Sequence, residues 1–329
     1  MGIAGAGTLA TAFANAATEL GHEATVVEAP ELVAGSRAMF LARRLSLDGL
    51  AARPFLERLG GDLISARPQF VIVVKGRFIR AEAVRALQCR LCVPIVNYYP
   101  DHPLWPGHDD PEIAEALAVY DEVLVWGEHV RQALVDAGVG SARVVPFGYD
   151  PTVYRPPETP SSRCWEIAVI GQCYPERVRY AEALDEFALL ISGRGWRRAV
   201  KRTPLTSRVS EQSFMGDETC RLYWQSAIGL NILASWNVPA HNMRTFEVPA
   251  TATVMVATHT PDHDALFGAE GAVLVSEPAE AREAVRDLLA DPDRLAAIGA
   301  EGRRRVEPHT YAARLGSLLA PWLTAEDRS

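Results

Sequence analysis

Long apolar runs are missing from this 329-residue sequence: none approaches the roughly 18 residues needed to cross a bilayer. A basic-then-apolar leader is missing too, because the first residues read as a buried strand. Positive charge is not in excess, with 33 Lys and Arg against 41 Asp and Glu for a formal charge of -8. A nucleic-acid binder needs a basic surface to neutralise phosphates, so the balance argues against that class. Cysteine is scarce and odd in number (Cys89, Cys92, Cys164, Cys173, Cys220), which suits a reducing compartment and makes the cytoplasm the expected location. No repeat relates one half of the chain to the other.

Cys89 and Cys92 spell CxxC, yet a redox pair wants its first thiol at an exposed helix N-terminus. Here the pair follows a helical stretch and runs into apolar Val93, Ile95 and Val96. A zinc site needs two further ligands at recognisable spacing, and none stands out. Asp262/Asp264 and Asp291/Asp293 spell DxD, but the second pair reads as a helix–helix turn and the first precedes a helix. No metal is expected.

What the sequence does have is alternation. Hydrophobic residues make up 48%, enough for two domains of about 150 residues. Strand-like runs are Ile3–Ala4, Ala24–Glu28, Phe70–Val74, Pro94–Tyr98, Val123–Trp126 and Val144–Phe147, with a helix at Leu9–Leu20. The proline-rich stretch Tyr154–Arg163 reads as a linker. Alternation then resumes with strands Glu166–Ile170, Ala188–Ile191, Ile228–Ile232, Val254–Ala257 and Ala272–Val275. Helices fall at Arg177–Leu184, Ala279–Ala290 and Pro292–Val306. Strands separated by helices imply parallel sheets covered on both faces, in two Rossmann-like domains. The expected boundaries are 1–155, a linker at 156–163, 164–306, and a C-terminal helix within 307–329.

A strand ending at Gly171, with Pro175 placed to open a helix, presents backbone N–H groups where a diphosphate would sit. Gln172 and Tyr174 lie in that turn. Arg177, with Lys201 or Arg202 as further candidates, adds positive charge, and a guanidinium matches phosphate geometry. A plain strand–turn–helix with solvated arginines is the alternative. In the first half, GAGTLA (Gly5, Gly7, Thr8 to Ala10) with Glu28 fits the dinucleotide fingerprint of an NAD- or FAD-dependent oxidoreductase. Asp101 and His102, just past a strand's C-terminal end, are candidates to orient an acceptor hydroxyl. His108, Asp109 and Asp110 read as loop and helix-start residues.

Several short motifs occur in one order: IAVIGQCYPERVRYAEAL (Ile167–Leu184), LLISGRGW (Leu189–Trp196), LNIL (Leu230–Leu233), HNMRTFEVPA (His241–Ala250) and EPHTYAARL (Glu307–Leu315). Together they resemble the CgeB-like (spore-maturation-protein-like) glycosyltransferases over roughly residues 144 to 319. The resemblance implies a GT-B fold whose two parallel sheets face a central cleft, with the donor on the C-terminal half. It implies a nucleotide sugar as substrate rather than any cofactor, an unidentified acceptor, and retention of configuration. It places Asn242, Arg244 and Glu247 at the donor, Glu247 gripping the ribose diol, since each carboxylate oxygen can accept one O–H. The glutamate that many retaining GT-B enzymes carry seven residues earlier is replaced by Ala240, with His241, Asn242 or the Asn242 backbone N–H as candidate substitutes. It makes His309, after Pro308 at a helix start, structural. A non-catalytic nucleotide-sugar binder on the same scaffold remains the third reading.

Overall fold

The computed structural model describes residues 5, 7–27, 57, 60–76, 79–106, 112–159, 162–210, 212 and 214–322. The expected strand Ile3–Ala4, Glu28, and the trio His108, Asp109 and Asp110 lie outside them. The chain forms two compact units, Met1–Pro146 with Arg314–Ser329, and Phe147–Ala313.

In the first unit, α1 (Leu9–Glu19) starts at Thr8, whose hydroxyl accepts the Thr11 N–H, and it buries Leu9, Ala10, Phe13 and Ala16. The sheet runs β1 (Val71–Val74), β2 (Ile95–Tyr98), β3 (Glu122–Val125), β4 (Ala142–Val144), all parallel and in that spatial order. Every residue of β2 is buried, as in a parallel sheet covered on both faces. Connecting helices are α2 (Ala81–Leu91), α3 (Ile113–Leu117) and α4 (Glu128–Asp136). Two expectations shift here. Residues 24–27 form no strand; they stay partly exposed and line a cavity of about 360 Å³ with α1 and β1. β4 ends earlier than expected, because Val145 makes the last ladder bond, to Val125 O at 2.8 Å, and Pro146 has no N–H to continue it. The CxxC closes α2: Cys92 caps it in the left-handed region at φ 55°, and its thiol donates to the Cys89 carbonyl at 3.5 Å.

The second unit is a five-stranded parallel sheet in the order β6-β5-β7-β8-β9. Its strands are β5 (Trp165–Ile170), β6 (Leu189–Ser192), β7 (Ser226–Asn231), β8 (Val254–Thr258) and β9 (Val273–Val275). Helices α5 (Pro175–Ala183), α6 (Trp196–Ala199), α7 (Asp217–Trp224), α8 (Arg244–Ala250), α9 (Pro261–Phe267), α10 (Pro278–Ala290) and α11 (Pro292–Val306) connect and cover it. The core is apolar and continuous, from Ile167, Val169 and Ile191 through Ile228 and Leu230 to Val256, Val285 and Leu295. Because the chain steps from β5 outward to β6 and then back past β5 to β7, strand order reverses between β5 and β7. Ligands of open α/β sheets bind outside the strand C-termini at such a reversal.

The division between units falls at Pro146–Phe147, ahead of the expected linker. The reason is local: Tyr149 donates to His309 O (3.2 Å) and accepts from Tyr311 N (3.0 Å), and Val153 and Tyr154 are buried. Even Arg155 is tied down, its carbonyl accepting the Trp224 indole N–H at 2.6 Å. The last helix, α12 (Tyr311–Leu319), is capped by the Thr310 hydroxyl, which accepts Ala313 N–H at 3.1 Å, rather than opening at Pro308. From Arg314 onward the chain belongs to the first unit. No described helix is long and apolar enough to cross a membrane.

Candidate functional site

The turn after β5 is clamped from one side by the turn after β6. Gly171 sits at φ 138° and donates to Ser192 O at 2.8 Å, while its carbonyl accepts the Trp196 indole N–H at 2.9 Å. A Cβ on Gly193 would stand 2.0 Å from that same carbonyl, so only glycine lets the two turns touch. The Gly-x-Gly-Trp motif thus serves to fix the Gly171 turn. Its variable residue, Arg194, donates to Gln172 Oε1 at 3.1 Å. Lys201 and Arg202, the candidates named from sequence, are instead exposed beyond the end of α6.

On the other side the β5 turn is tied to the loop after β7. Pro175 opens α5 and places Arg177 in its first turn, buried. Arg177 Nε donates to Ile232 O and Nη1 to Gln172 O, both at 2.8 Å, and its guanidinium lies 5.2 Å from the Tyr174 ring. A Cβ on Gly171 would meet Nη1 at 2.6 Å. Burial lowers the Arg177 pKa, with Tyr174 pulling the other way. The expected phosphate clamp is therefore first a staple across the strand-order reversal. Two more contacts follow it: Glu176 Oε1 accepts Ser235 N–H at 3.2 Å, and Tyr174 meets Trp236 edge-on at 4.7 Å.

One strand further, α8 presents Arg244 and Glu247. The Glu247 carboxylate is buried and bonded to Arg244 Nη1, while Arg244 also reaches the Tyr154 hydroxyl at 3.3 Å. Burial pushes the Glu247 carboxyl up, and Arg244 and Tyr154 draw it back. Burial likewise opposes the Arg244 charge, but the Glu247 carboxylate together with Tyr223 and Tyr154 outweighs it and holds the guanidinium firmly cationic. Tyr154 was hidden from sequence reasoning because it opens a proline-rich stretch that looks like linker.

The neighbouring polar groups face inward. Asn242 Nδ2 donates to Asn231 Oδ1 at 2.8 Å, and its Oδ1 accepts Thr245 N–H at 3.1 Å. His241 accepts the Phe147 N–H on Nε2 at 3.3 Å, which leaves Nδ1–H to donate to Asp262 at 2.6 Å. Neither side chain is therefore held out as a substitute for the glutamate absent at Ala240, a buried residue whose carbonyl accepts the Thr260 hydroxyl. Asp262 and Asp264 bond to different histidines, Asp264 to His259 at 2.7 Å. Asp291 caps α11 by accepting Arg294 N–H. Among the described residues no three His, Cys, Asp or Glu side chains form a metal-sized group.

His263 in α9 is fully buried; its Nδ1–H donates to Thr258 O at 2.7 Å and its Nε2 accepts the Thr245 hydroxyl at 2.8 Å. Burial pushes its pKa from 6.5 down to about 4, with His241, Asp262 and His259 as the nearby titrating groups. The unfolded chain takes the proton first, so this contribution to stability is complete above pH 6.5 and is lost as pH falls towards about 4. The loss is on the order of 3 kcal/mol. His263→Phe should flatten the melting temperature against pH across that window; an unchanged slope would assign the acid sensitivity elsewhere.

In the first unit, Gly5 (φ 137°) and Gly7 (φ 79°) shape the turn into α1, and the Thr8 hydroxyl donates to Gly5 O at 2.9 Å. Asp101 pairs with Lys75 at 2.7 Å, both well exposed, and His102 is buried edge-on to Trp105. Lys75, at φ 67° just past β1, carries no signal in sequence.

The fold is similar to Anabaena Alr3699/HepE, solved in complex with UDP-glucose (TM-score 0.60, 13% identity, 80% of this chain and 81% of that one). It is also similar to sucrose-phosphate synthase from Thermosynechococcus elongatus (TM-score 0.62, 15% identity, 83% and 78%). A glycosyltransferase from Rickettsia africae matches over 98% of this chain and 96% of its own (TM-score 0.61, 13% identity). No curated protein matches the sequence. Residues 176–320 match the family model described as glycosyl transferase-like. The chain therefore has the GT-B fold of paired parallel-sheet α/β units, and its residues 176–320 carry the pattern of the glycosyl transferase-like family.

Proposed function

We propose that the protein is a glycosyltransferase that takes a sugar from a nucleotide donor held at the C-terminal ends of β5 and β7. The observation that carries the reading is the strand-order reversal between β5 and β7, where an open α/β sheet binds ligands and where Arg177 ties the two loops together. It lies beside and within the stretch that matches the glycosyl transferase-like family. The α5 N-terminus supplies N–H groups for a diphosphate, and Arg177, Arg194 and Arg244 supply charge around it. Gly171, Gln172, Tyr174 and Glu247 complete the donor site, with Glu247 on the ribose and Asn242 supporting α8 from behind through Asn231 and Thr245. HepE was solved with UDP-glucose, which puts UDP-sugars first among the donors to try.

The finer parts of the proposal rest on the sequence motifs: a CgeB-like subgroup, retention of configuration, and cytoplasmic action. Asp101 and His102 are proposed to orient the acceptor, and the Gly5–Thr8 turn to approach donor or acceptor. Transfer is proposed to need no metal, because arginines and a helix N-terminus meet the phosphate charge and the Asp262 and Asp264 carboxylates are engaged by histidines. An oxidoreductase using Gly5, Gly7 and Glu28 accounts for none of the second-half pattern.

The test is a panel of nucleotide sugars, nucleoside diphosphates and NAD(H), read first as thermal shift and then as turnover with and without excess EDTA. A nucleoside diphosphate should stabilise the protein and at least one nucleotide sugar should turn over undiminished in EDTA. Stabilisation by NAD(H) alone would replace the reading with the oxidoreductase. Binding without turnover would leave a sugar-nucleotide binder, and activity restored by Mg²⁺ or Mn²⁺ would overturn the metal-free chemistry.

A further inference from the structure

The buried polar chain behind α8 has a single consistent assignment of donors and acceptors. His263 Nδ1 lies 2.7 Å from the Thr258 carbonyl, so it carries the proton and Nε2 must accept. The Thr245 hydroxyl, 2.8 Å away, therefore donates to Nε2. That leaves its oxygen to accept from Asn231 Nδ2 and from the Asn242 backbone N–H, each at 3.3 Å. Asn231 Oδ1 accepts from Asn242 Nδ2, and Asn242 Oδ1 accepts the Thr245 N–H. The chain links the last residue of β7, the last of β8, the start of α9 and the first turn of α8.

α8 needs such a device. At seven residues, with Pro249 inside it, the helix is far shorter than the roughly 12–15 residues at which an isolated helix becomes marginally stable. Its rotation about its own axis is consequently set by what grips it. Thr245 is the gripped residue, and it lies between Arg244 and Glu247 in sequence, pointing inward while Arg244 keeps 22% of its side chain exposed.

We propose that His263 is a positioning residue: by accepting the Thr245 hydroxyl it fixes the rotation of α8, and so the aim of the Arg244–Glu247 pair at a nucleoside diphosphate. This rests on the donor-site reading above. His263 is fully buried and acts through Thr245. Groups that orient ligand-binding side chains must hold them within about 0.5 Å of the productive geometry.

The experiment is calorimetric titration with UDP, and with ADP and GDP alongside, of the wild type, His263→Phe, Thr245→Val and the double variant. It is run well below every melting temperature, with circular dichroism to confirm folding. Each single variant should weaken nucleotide binding about tenfold, a loss near 1.4 kcal/mol. The double variant should be no weaker than either single one, because both break the same bond. Thr245→Ser, which keeps the hydroxyl, and His263→Gln, which can still offer an acceptor, should recover most of the affinity. A merely structural histidine would lower the melting temperature and leave affinity alone, and that result overturns the proposal by itself. So would independent, additive losses in the double variant. A wild type that binds none of the three nucleotides overturns the donor-site reading, and this inference with it.

Discussion

Arg177→Ala is expected to lower the melting temperature by on the order of 10 °C and to cut donor turnover about a hundredfold. The stability loss follows from the carbonyls of Ile232 and Gln172, which both accept from Arg177 at 2.8 Å. An acceptor left buried without its donor costs about 1–3 kcal/mol, and the removed guanidinium leaves a void against Gly171. The turnover loss follows because the staple holds the two loops that form the proposed diphosphate site. Arg177→Lys should recover little of either, since an ammonium cannot span two carbonyls as a planar fork does. Thermal melts and donor-saturation kinetics on the two variants decide it. An Arg177→Ala protein that melts with the wild type would mean the staple holds nothing together. One that changes only KM would make Arg177 a binding residue without a part in leaving-group departure.

Glu247→Ala should also be severe, for a different reason. It strands the Arg244 guanidinium in a buried position, which costs roughly 2–4 kcal/mol, at the low side of the range for breaking a buried pair. The discount reflects the 22% of the Arg244 side chain that solvent still reaches. Donor affinity should fall by about 10- to 150-fold, the worth of a hydrogen bond to a charged group. The double variant Arg244→Met/Glu247→Leu separates the two effects. Replacing a whole buried ion pair by apolar groups is often neutral for stability, so melting should return towards wild type while donor binding stays lost. If the double variant binds nucleoside diphosphates normally, the pair is a structural tie and the donor lies elsewhere.

The acid sensitivity expected from His263 and the effect of Arg177 meet at the loop between β7 and α8. His263 holds its α8 end through Thr245, and Arg177 ties its Ile232 carbonyl to the turn between β5 and α5. Measuring Arg177→Ala at pH 7 and at pH 5 would reveal any coupling.

Strands and helices were legible in the sequence wherever burial repeats with a period. β5, β7 and β8 each carry an apolar stretch, and α10 and α11 are amphipathic with acidic caps, so local pattern and tertiary demand agree. Pattern failed where a neighbour decides the outcome. Residues 24–27 read as a strand but make no ladder, and Pro146 stopped β4 by lacking one N–H. Tyr154 belongs to the core of the second unit, though its surroundings in sequence are those of a linker.

The same distinction governs the candidate site. The Gly171 turn, the opening of α5 at Pro175 and Arg177 in its first turn follow from sequence, because glycine and proline act through the local backbone, whereas Arg244 and Glu247 are singled out by the family resemblance. The direction in which each side chain points does not. Arg177 turns to the Ile232 carbonyl, 55 residues away. Asn242 turns inward to Asn231, and His263 accepts on Nε2 because its one ring N–H, on Nδ1, is donated to the Thr258 carbonyl. These choices depend on which buried groups lack partners once the sheet has formed, and that accounting exists only in three dimensions.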